Sequence, residues 1–277
     1  MDIFIRKTPY PGPIRAVVLD WAGTAVDYGC IAPVAVFMDA FKRRGVQVTT
    51  EEARAPMGLM KKDHVRSMCE SESVAAKWQK VHGREPDEND VEAMYADVEP
   101  LLVATVARYA DPIPGLSKAL AAFRRDGIRI GSTTGYTTPM MAVLTPEANR
   151  RGYVPDSIVC PSDVPAGRPY PWMCYQNAIN LQVHPMEAMV KIGDTVSDVH
   201  EGLNAGMWTI GVAKTGNELG LTEAEVAALN PGELKNRLDE IDERFRKAGA
   251  HYVAESVAHC PPLIAAINAR LARGERP

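Results

Sequence analysis

The chain has 277 residues, 46% of them apolar and 24% charged, the balance of a folded globular protein with length enough for a sizeable core. A formal net charge of −4 argues against a general nucleic-acid or membrane-surface binder, because either needs a basic face, so any anion site has to be a local pocket. No apolar run approaches the roughly 20 residues of a membrane helix, residues 1–15 show neither a signal core nor a cleavage pattern, and the cysteines Cys30, Cys69, Cys160, Cys174 and Cys260 form no C-x-x-C pair; a cytoplasmic protein with reduced thiols is expected.

In chain order, the first element is a short apolar run, IRAVVLD (14–20), that ends in an acid. It reads as a buried parallel strand, a type covered on both faces. Beyond its end stands Asp20-Trp21-Ala22-Gly23-Thr24. A carboxylate there is desolvated and ringed by loop amides, which suits a nucleophile toward phosphorus or a ligand for a hard cation. By itself it equally fits a turn aspartate.

Residues 29–107 break the strand rhythm. They offer the amphipathic segments APVAVFMDAFKRRG, LMKKDHVRSMCE, SVAAKWQKVHG and DVEAMYADVEPLLVATVARY, and no clear strand. The stretch leaves directly after the first strand's loop and returns before the second strand. An inserted helical domain is therefore expected over the carboxyl edge of the sheet, in the position of a lid. Its connections near residues 28–32 and 109–114 carry Gly and Pro and are candidate hinges. The expected division is 1–28 with 108–277 for the core and 29–107 for the cap.

Further strands follow at IRIGS (128–132), SIVC (157–160), MVKIG (189–193) and WTIGV (208–212), with helical stretches such as LSKALAAFRRDG and PWMCYQNAINLQ between them. The alternation predicts right-handed βαβ units and an α/β fold, a doubly wound, Rossmann-like parallel sheet with an inserted α-helical cap. Ligands of such sheets sit outside the carboxyl ends of the strands. There stand Ser132-Thr133-Thr134-Gly135, whose hydroxyls and N–H groups can hold phosphate oxygens, and Gly167-Arg168-Pro169, whose guanidinium fork matches a phosphate. Last comes Gly193-Asp194-Thr195-Val196-Ser197-Asp198. Asp194 completes an oxygen cage for Mg²⁺ with Asp20, and Asp198 binds through water or orients its neighbours. Each motif alone has an ordinary reading as a cap or a solvated loop residue; the ordered set, each member at a strand end, does not. The tail after about 216 reads as helical, with Thr222 and Glu225 spaced as a capping box.

This ordered set resembles the haloacid-dehalogenase superfamily over nearly the whole chain. Two departures from its common phosphatases are informative. The second Asp of their D-x-D is here Ala22, and the usual Lys of the third motif is Arg168. Together with Met57-Gly58-Leu59-Met60-Lys61-Lys62-Asp63-His64 in the lid, these departures resemble the phosphonoacetaldehyde hydrolase family, for which D-W-A-G-T-x-V-D-Y-G-C and M-G-x-x-K-x-D-H are close to a signature. Both runs are present. The resemblance implies Asp20 as nucleophile, Lys61 as Schiff-base lysine, and Mg²⁺ on Asp20, the Ala22 carbonyl and Asp194. It further implies a small phosphonate substrate and a homodimer joined through the lid. Lys62 adjoins Lys61, and the spacing from Met57 to His64 is what selects Lys61.

The chemistry makes sense of these choices. Protonating the leaving atom cannot cut a carbon–phosphorus bond, because the departing group would be an unstabilised carbanion. A lysine that condenses with the aldehyde supplies an electron sink, and the carbon then leaves as a neutral enamine. This accounts for Lys61 and for the missing acid at position 22 together. Arg168, Thr134 and the Gly135 N–H are expected to offset phosphoryl charge. Lys61 must be made less basic by desolvation or by neighbouring positive charge, such as Lys62 or Mg²⁺. Of the six histidines, only His64 has telling neighbours; it shares a helix face with Lys61 and is a candidate proton shuttle. Cys30, Met57 and Tyr136 are expected to line the site. An ordinary phosphate-ester phosphatase or phosphomutase on the same fold is the rival reading, opposed by Ala22. A silent binding protein would lack Asp20, Lys61 or Asp194.

Overall fold

A computed structural model describes residues 9–277, so the first part of the N-terminal stretch read above for a signal lies outside the described residues. The chain enters the core through β1 (Ala16–Leu19), whose four side chains are all buried. Five helices come next: α1 (Ala32–Arg43), α2 (Thr50–Arg54), α3 (Lys61–Glu70), α4 (Glu72–His82) and α5 (Glu88–Thr105). A 3₁₀ turn, Val106–Tyr109, closes this insertion. Then α6 (Leu116–Arg125), β2 (Arg129–Thr133), α7 (Thr138–Arg150), β3 (Ser157–Val159), α8 (Trp172–Asn180), β4 (Met189–Gly193), α9 (Val196–Asn204) and β5 (Trp208–Val212) alternate. The chain ends with α10 (Glu223–Ala228), α11 (Pro231–Lys247), β6 (Tyr252–Ala254) and α12 (Cys260–Ala272).

The strands form one parallel sheet in the order β3-β2-β1-β4-β5-β6. This is the doubly wound α/β arrangement expected. Strand order reverses between β1 and β4, the switch point at which such sheets open a crevice beyond their carboxyl ends. Asp20 follows β1 and Asp194 follows β4, so topology alone brings them together.

The structure corrects the sequence reading in two places. The tail is not helical throughout, since β6 adds a sixth strand at the sheet edge; three residues with only Ala254 buried give no apolar run to read. The five-residue α2 was also not anticipated, although Thr49 and Glu52 form its capping box. Among the described residues no helix is long and apolar enough to cross a membrane. All five cysteines are free and buried.

The insertion leaves and re-enters the core at adjoining points. Val26 bridges to Pro112, the Asp27 N–H donates to the Asp111 carbonyl at 3.2 Å, and the Ile113 N–H donates to Ala25 at 2.9 Å. The turn into α1 is tight, with φ of +57° at Asp27, +84° at Gly29 and +50° at Cys30. Only glycine takes that region without steric cost. The Asp27 carboxylate accepts from the N–H groups of Ile31 and Ala32, both at 3.1 Å, and so caps the start of α1.

Candidate active site

Beyond the carboxyl ends of β1, β2 and β4 lies a small cavity of about 20 Å³, lined by Asp20, Ala22, Thr134, Gly135, Tyr136, Arg168, Asp194 and Thr195 from the sheet side. The insertion closes it with Cys30, Met57, Gly58 and Lys61. The fit along the seam is close. A Cβ on Gly58 would stand 2.5 Å from Thr195 Oγ1, and one on Gly135 would meet the Gly58 carbonyl at 3.0 Å.

The core side of the cavity is a buried network of charge. Arg168 is 4% exposed. Its Nη2 donates to Asp20 at 2.6 Å and to Thr133 Oγ1 at 2.9 Å, its Nε donates to Glu201 at 2.9 Å, and its Nη1 lies 3.1 Å from Asp198. Burial alone would lower its pKa, but Asp198, Asp20 and Glu201 raise it well above the ordinary arginine value. Asp194 receives the Thr24 hydroxyl at 3.1 Å and the Asn217 N–H at 2.7 Å. Burial first, and then the charges of Asp20 and Asp198, push its carboxyl well above the usual carboxylate range.

Ligand oxygens of Asp20, Asp194 and Asp198 all come within 4.8 Å of one another. Hard oxygen donors crowded in a buried site, with burial and the neighbouring carboxylates Asp20 and Asp198 opposing the ionisation of Asp194, are what a hard divalent cation relieves. The donor set therefore fits a metal ion. Asp198 is the least free of the three. Its Oδ2 caps Thr195, accepting the hydroxyl at 2.6 Å, while its Oδ1 lies 2.7 Å from Lys191 Nζ.

On the opposite wall Lys61 opens α3 and is 4% exposed. Its Nζ stands 4.0 Å from the Met57 sulfur and 5.0 Å from the centre of the Tyr136 ring. Burial lowers its pKa, opposed by Cys30 and Asp20 and reinforced by Arg168. A position in the first turn of a helix acts in the same direction, because the positive end of the dipole disfavours an ammonium. A primary amine held away from water, opposite a buried carboxylate and a guanidinium, can condense with a carbonyl whose anionic end lies on the other wall.

A model of haloacid dehalogenase-like hydrolases matches residues 14–206. A phosphonoacetaldehyde hydrolase-like protein of Syntrophobacter fumaroxidans is 62% identical over the full length of both chains. A phosphonoacetaldehyde hydrolase of the same organism is 59% identical, again over the whole of both. Among solved structures, a phosphonoacetaldehyde hydrolase-like protein from Oleispira antarctica superposes over the whole of both chains with a TM-score of 0.95 at 39% identity. The chain belongs to the phosphonoacetaldehyde hydrolase family.

Against that family pattern, the structure puts most of the sequence-selected residues around one cavity and sets three apart. Lys62 turns outward to Glu92 and lies 3.8 Å from Glu88, so it adds no positive charge to the site, contrary to expectation. His64 is fully buried behind the cavity wall, its ring stacked on Phe37 at 3.8 Å and its Nε2 bonded to the Ala53 carbonyl at 2.9 Å. Burial, and after it the charge of Lys61, hold its pKa well below the usual histidine value. The ring packs beneath Lys61 and does not line the cavity, and its other nitrogen, Nδ1, is buried with no hydrogen-bond partner. Asp198 sits behind Asp194 and does not line the cavity.

Sequence reasoning missed Glu201 and Lys191. Glu201 accepts from Arg168 and from Thr133 Oγ1 at 3.0 Å, and Lys191 lies within ion-pair range of Asp198 and Glu201. A signal was present for each. Lys191 interrupts an otherwise apolar strand, and Glu201 follows Asp198 by three residues on α9, hence on the same helix face.

Proposed function

We propose that this chain hydrolyses the carbon–phosphorus bond of phosphonoacetaldehyde to acetaldehyde and phosphate, with residues 29–107 acting as a lid over the core formed by 1–28 and 108–277. The observation that carries the reading is the pairing of a buried amine, Lys61, with Asp20 across one closed cavity whose neighbouring position 22 is alanine. The names of the full-length relatives support it.

Asp20, Asp194 and the Ala22 carbonyl would hold Mg²⁺, with Asp198 orienting the site from behind. When bound, the ion offsets charge on the phosphoryl oxygens. Arg168, held 2.6 Å from Asp20, sets its positive charge beside the same oxygens, and Thr134 and the Gly135 N–H donate from the end of β2. Lys61 in its neutral form adds to the aldehyde carbon, and the adduct takes up a proton and loses water to give a protonated imine. Asp20 then attacks phosphorus, and the electron pair of the breaking carbon–phosphorus bond moves into the imine, leaving an enamine on Lys61 and a phosphoryl group on Asp20. Protonation of the enamine carbon restores an imine, which water hydrolyses to acetaldehyde. A second water hydrolyses the aspartyl phosphate. Met57, Cys30 and Tyr136 keep the amine in apolar surroundings, which favours its neutral form.

Incubation with phosphonoacetaldehyde and Mg²⁺, with acetaldehyde and phosphate measured beside a panel of phosphate esters, tests the reading. Equimolar release of both products is expected, with chelation abolishing it and added Mg²⁺ restoring it; turnover confined to the esters would overturn the assignment. The rising limb of kcat/KM with pH is expected below the ordinary lysine value of 10.5, in the direction Lys61 is shifted. A cytoplasmic homodimer joined through the lid belongs to the same reading, and sedimentation of the purified chain checks its size.

A further inference from the structure

Arg54, the last residue of α2, reaches from the insertion to the core without touching the reaction centre. Its Nη1 donates to the Gly29 carbonyl at 2.9 Å, to the Cys30 carbonyl at 3.4 Å and to Asn217 Oδ1 at 3.1 Å, while its Nη2 donates to the Gly220 carbonyl at 3.0 Å. Asn217 answers through its side-chain amide, which donates to the Arg54 carbonyl at 3.4 Å. One guanidinium thus joins three segments: α2, the turn into α1, and the loop 213–221 that follows β5.

Two features separate this from an ordinary surface arginine. Among the described residues no carboxylate stands within ion-pair distance of Arg54, so its fork is spent on neutral acceptors fixed in space. Gly220, at φ +67°, leaves the room it occupies; a Cβ there would stand 2.8 Å from Arg54 Nε. Along the same seam runs an open cleft of about 650 Å³, bordered by Arg54, Met57, Thr195, Asn217 and Gly220 among others. Met57 and Thr195 also line the reaction cavity, so separation along this seam opens the cavity to water. Asn217 is also the residue whose N–H holds Asp194.

We propose that Arg54 is the clasp that holds the lid shut, a positioning residue tying α2 to the hinge at Gly29 and Cys30 and to the core at Asn217 and Gly220. The proposal rests on the reading of residues 29–107 as a lid, and its test needs no turnover. Cys30 lines the closed cavity, whereas Cys174 and Cys260 are buried within the core. Alkylation of the native full-length chain with iodoacetamide, followed peptide by peptide by mass spectrometry, therefore reports opening at Cys30 against two internal controls.

For Arg54→Ala the labelling rate of Cys30 should rise by about tenfold or more, the consequence of losing charge-assisted hydrogen bonds, with Cys174 and Cys260 unchanged. Arg54→Lys should fall between, because an ammonium replaces part of the fork. Gly220→Ala, which displaces the guanidinium without removing it, should move Cys30 in the same direction and stands in if Arg54→Ala does not fold. In the phosphonate assay Arg54→Ala should raise KM more than it lowers kcat. Unchanged Cys30 labelling in Arg54→Ala and Gly220→Ala would overturn the clasp, as would labelling of all three cysteines together, which marks general loosening. A wild type inert toward phosphonoacetaldehyde, with Cys30 still responding selectively to Arg54→Ala, would sink the proposed reaction and leave the clasp standing.

Discussion

The strand ends of the core and the inserted helices treat charge in opposite ways. In the core, Asp20, Asp194, Asp198, Glu201, Arg168 and Lys191 are all buried, and Arg168 and Lys191 are held against the acids by ion pairs. In the insertion the charged pairs, such as Arg43 with Asp39, Arg84 with Asp90 and Arg66 with Glu88, stand at the surface. Exposed pairs of that kind contribute on the order of 1 kcal/mol or less each. Lys61 is the buried cation that the insertion turns inward. A site on strand ends is fixed by the sheet, which holds many groups in one register. A site on the inserted helices depends on one residue at the start of one helix, and on what keeps that helix down.

The largest expected effects test this division of labour. Lys61→Arg should reduce phosphonate turnover to background while the fold is kept, since arginine preserves the charge and cannot form the imine. Asp20→Ala should lose turnover as completely, yet still give a borohydride-reducible adduct at Lys61 when substrate is added. Peptide mass spectrometry of the two variants separates the roles. An adduct on Lys62, or none in Asp20→Ala, would mean that Lys61 does not supply the electron sink.

Ala22→Asp sharpens the contrast from the core side. A carboxyl at that position should raise hydrolysis of an aryl phosphate and lower phosphonate cleavage, by roughly a hundredfold in each direction if general-acid catalysis is what position 22 withholds. The new group would also favour the charged form of Lys61. Undiminished phosphonate turnover would show that position 22 does not discriminate between the two reactions.

Glu201→Gln probes the support behind Arg168. Removing one charge from this buried network should lower kcat by about tenfold and stability by about 3 kcal/mol, read from turnover and from urea unfolding. A loss of stability with kcat unchanged would leave Glu201 a purely structural partner.

The smallest effect belongs to Asp27, at the junction of the two regions. Burial pushes its carboxyl up to about 6 from 3.8, against the N–H groups of Ala32 and Ile31 that lower it. The folded chain then holds this proton more firmly than the unfolded chain, so its contribution to stability is complete below the unfolded value and is lost as pH rises toward 6. Asp27→Asn removes the titration and should flatten urea midpoints between pH 4 and 6 relative to the wild type. Parallel curves for the two proteins would place the shift elsewhere.

Much of this molecule was legible in its sequence because the sheet is built from short continuous apolar runs, and such runs announce both a buried strand and the polar residue that ends it. Asp20, Thr134 and Asp194 were found in that way, and Lys61 through the run from Met57 to His64. β6 and α2 escaped because three and five residues carry too little periodicity to read. What the sequence alone determined was the parallel core, the helical stretch after β1 and most of the residues that line the cavity. Only the tertiary structure decided that Lys62 turns outward to Glu92, that His64 lies behind the wall, that Glu201 braces Arg168 while Lys191 pairs with Asp198 and Glu201, and that Arg54 ties α2 to the loop after β5. Spacing along a chain fixes which residues share an element; the direction of each side chain, and its partners across tens or hundreds of residues, follow from how the elements pack.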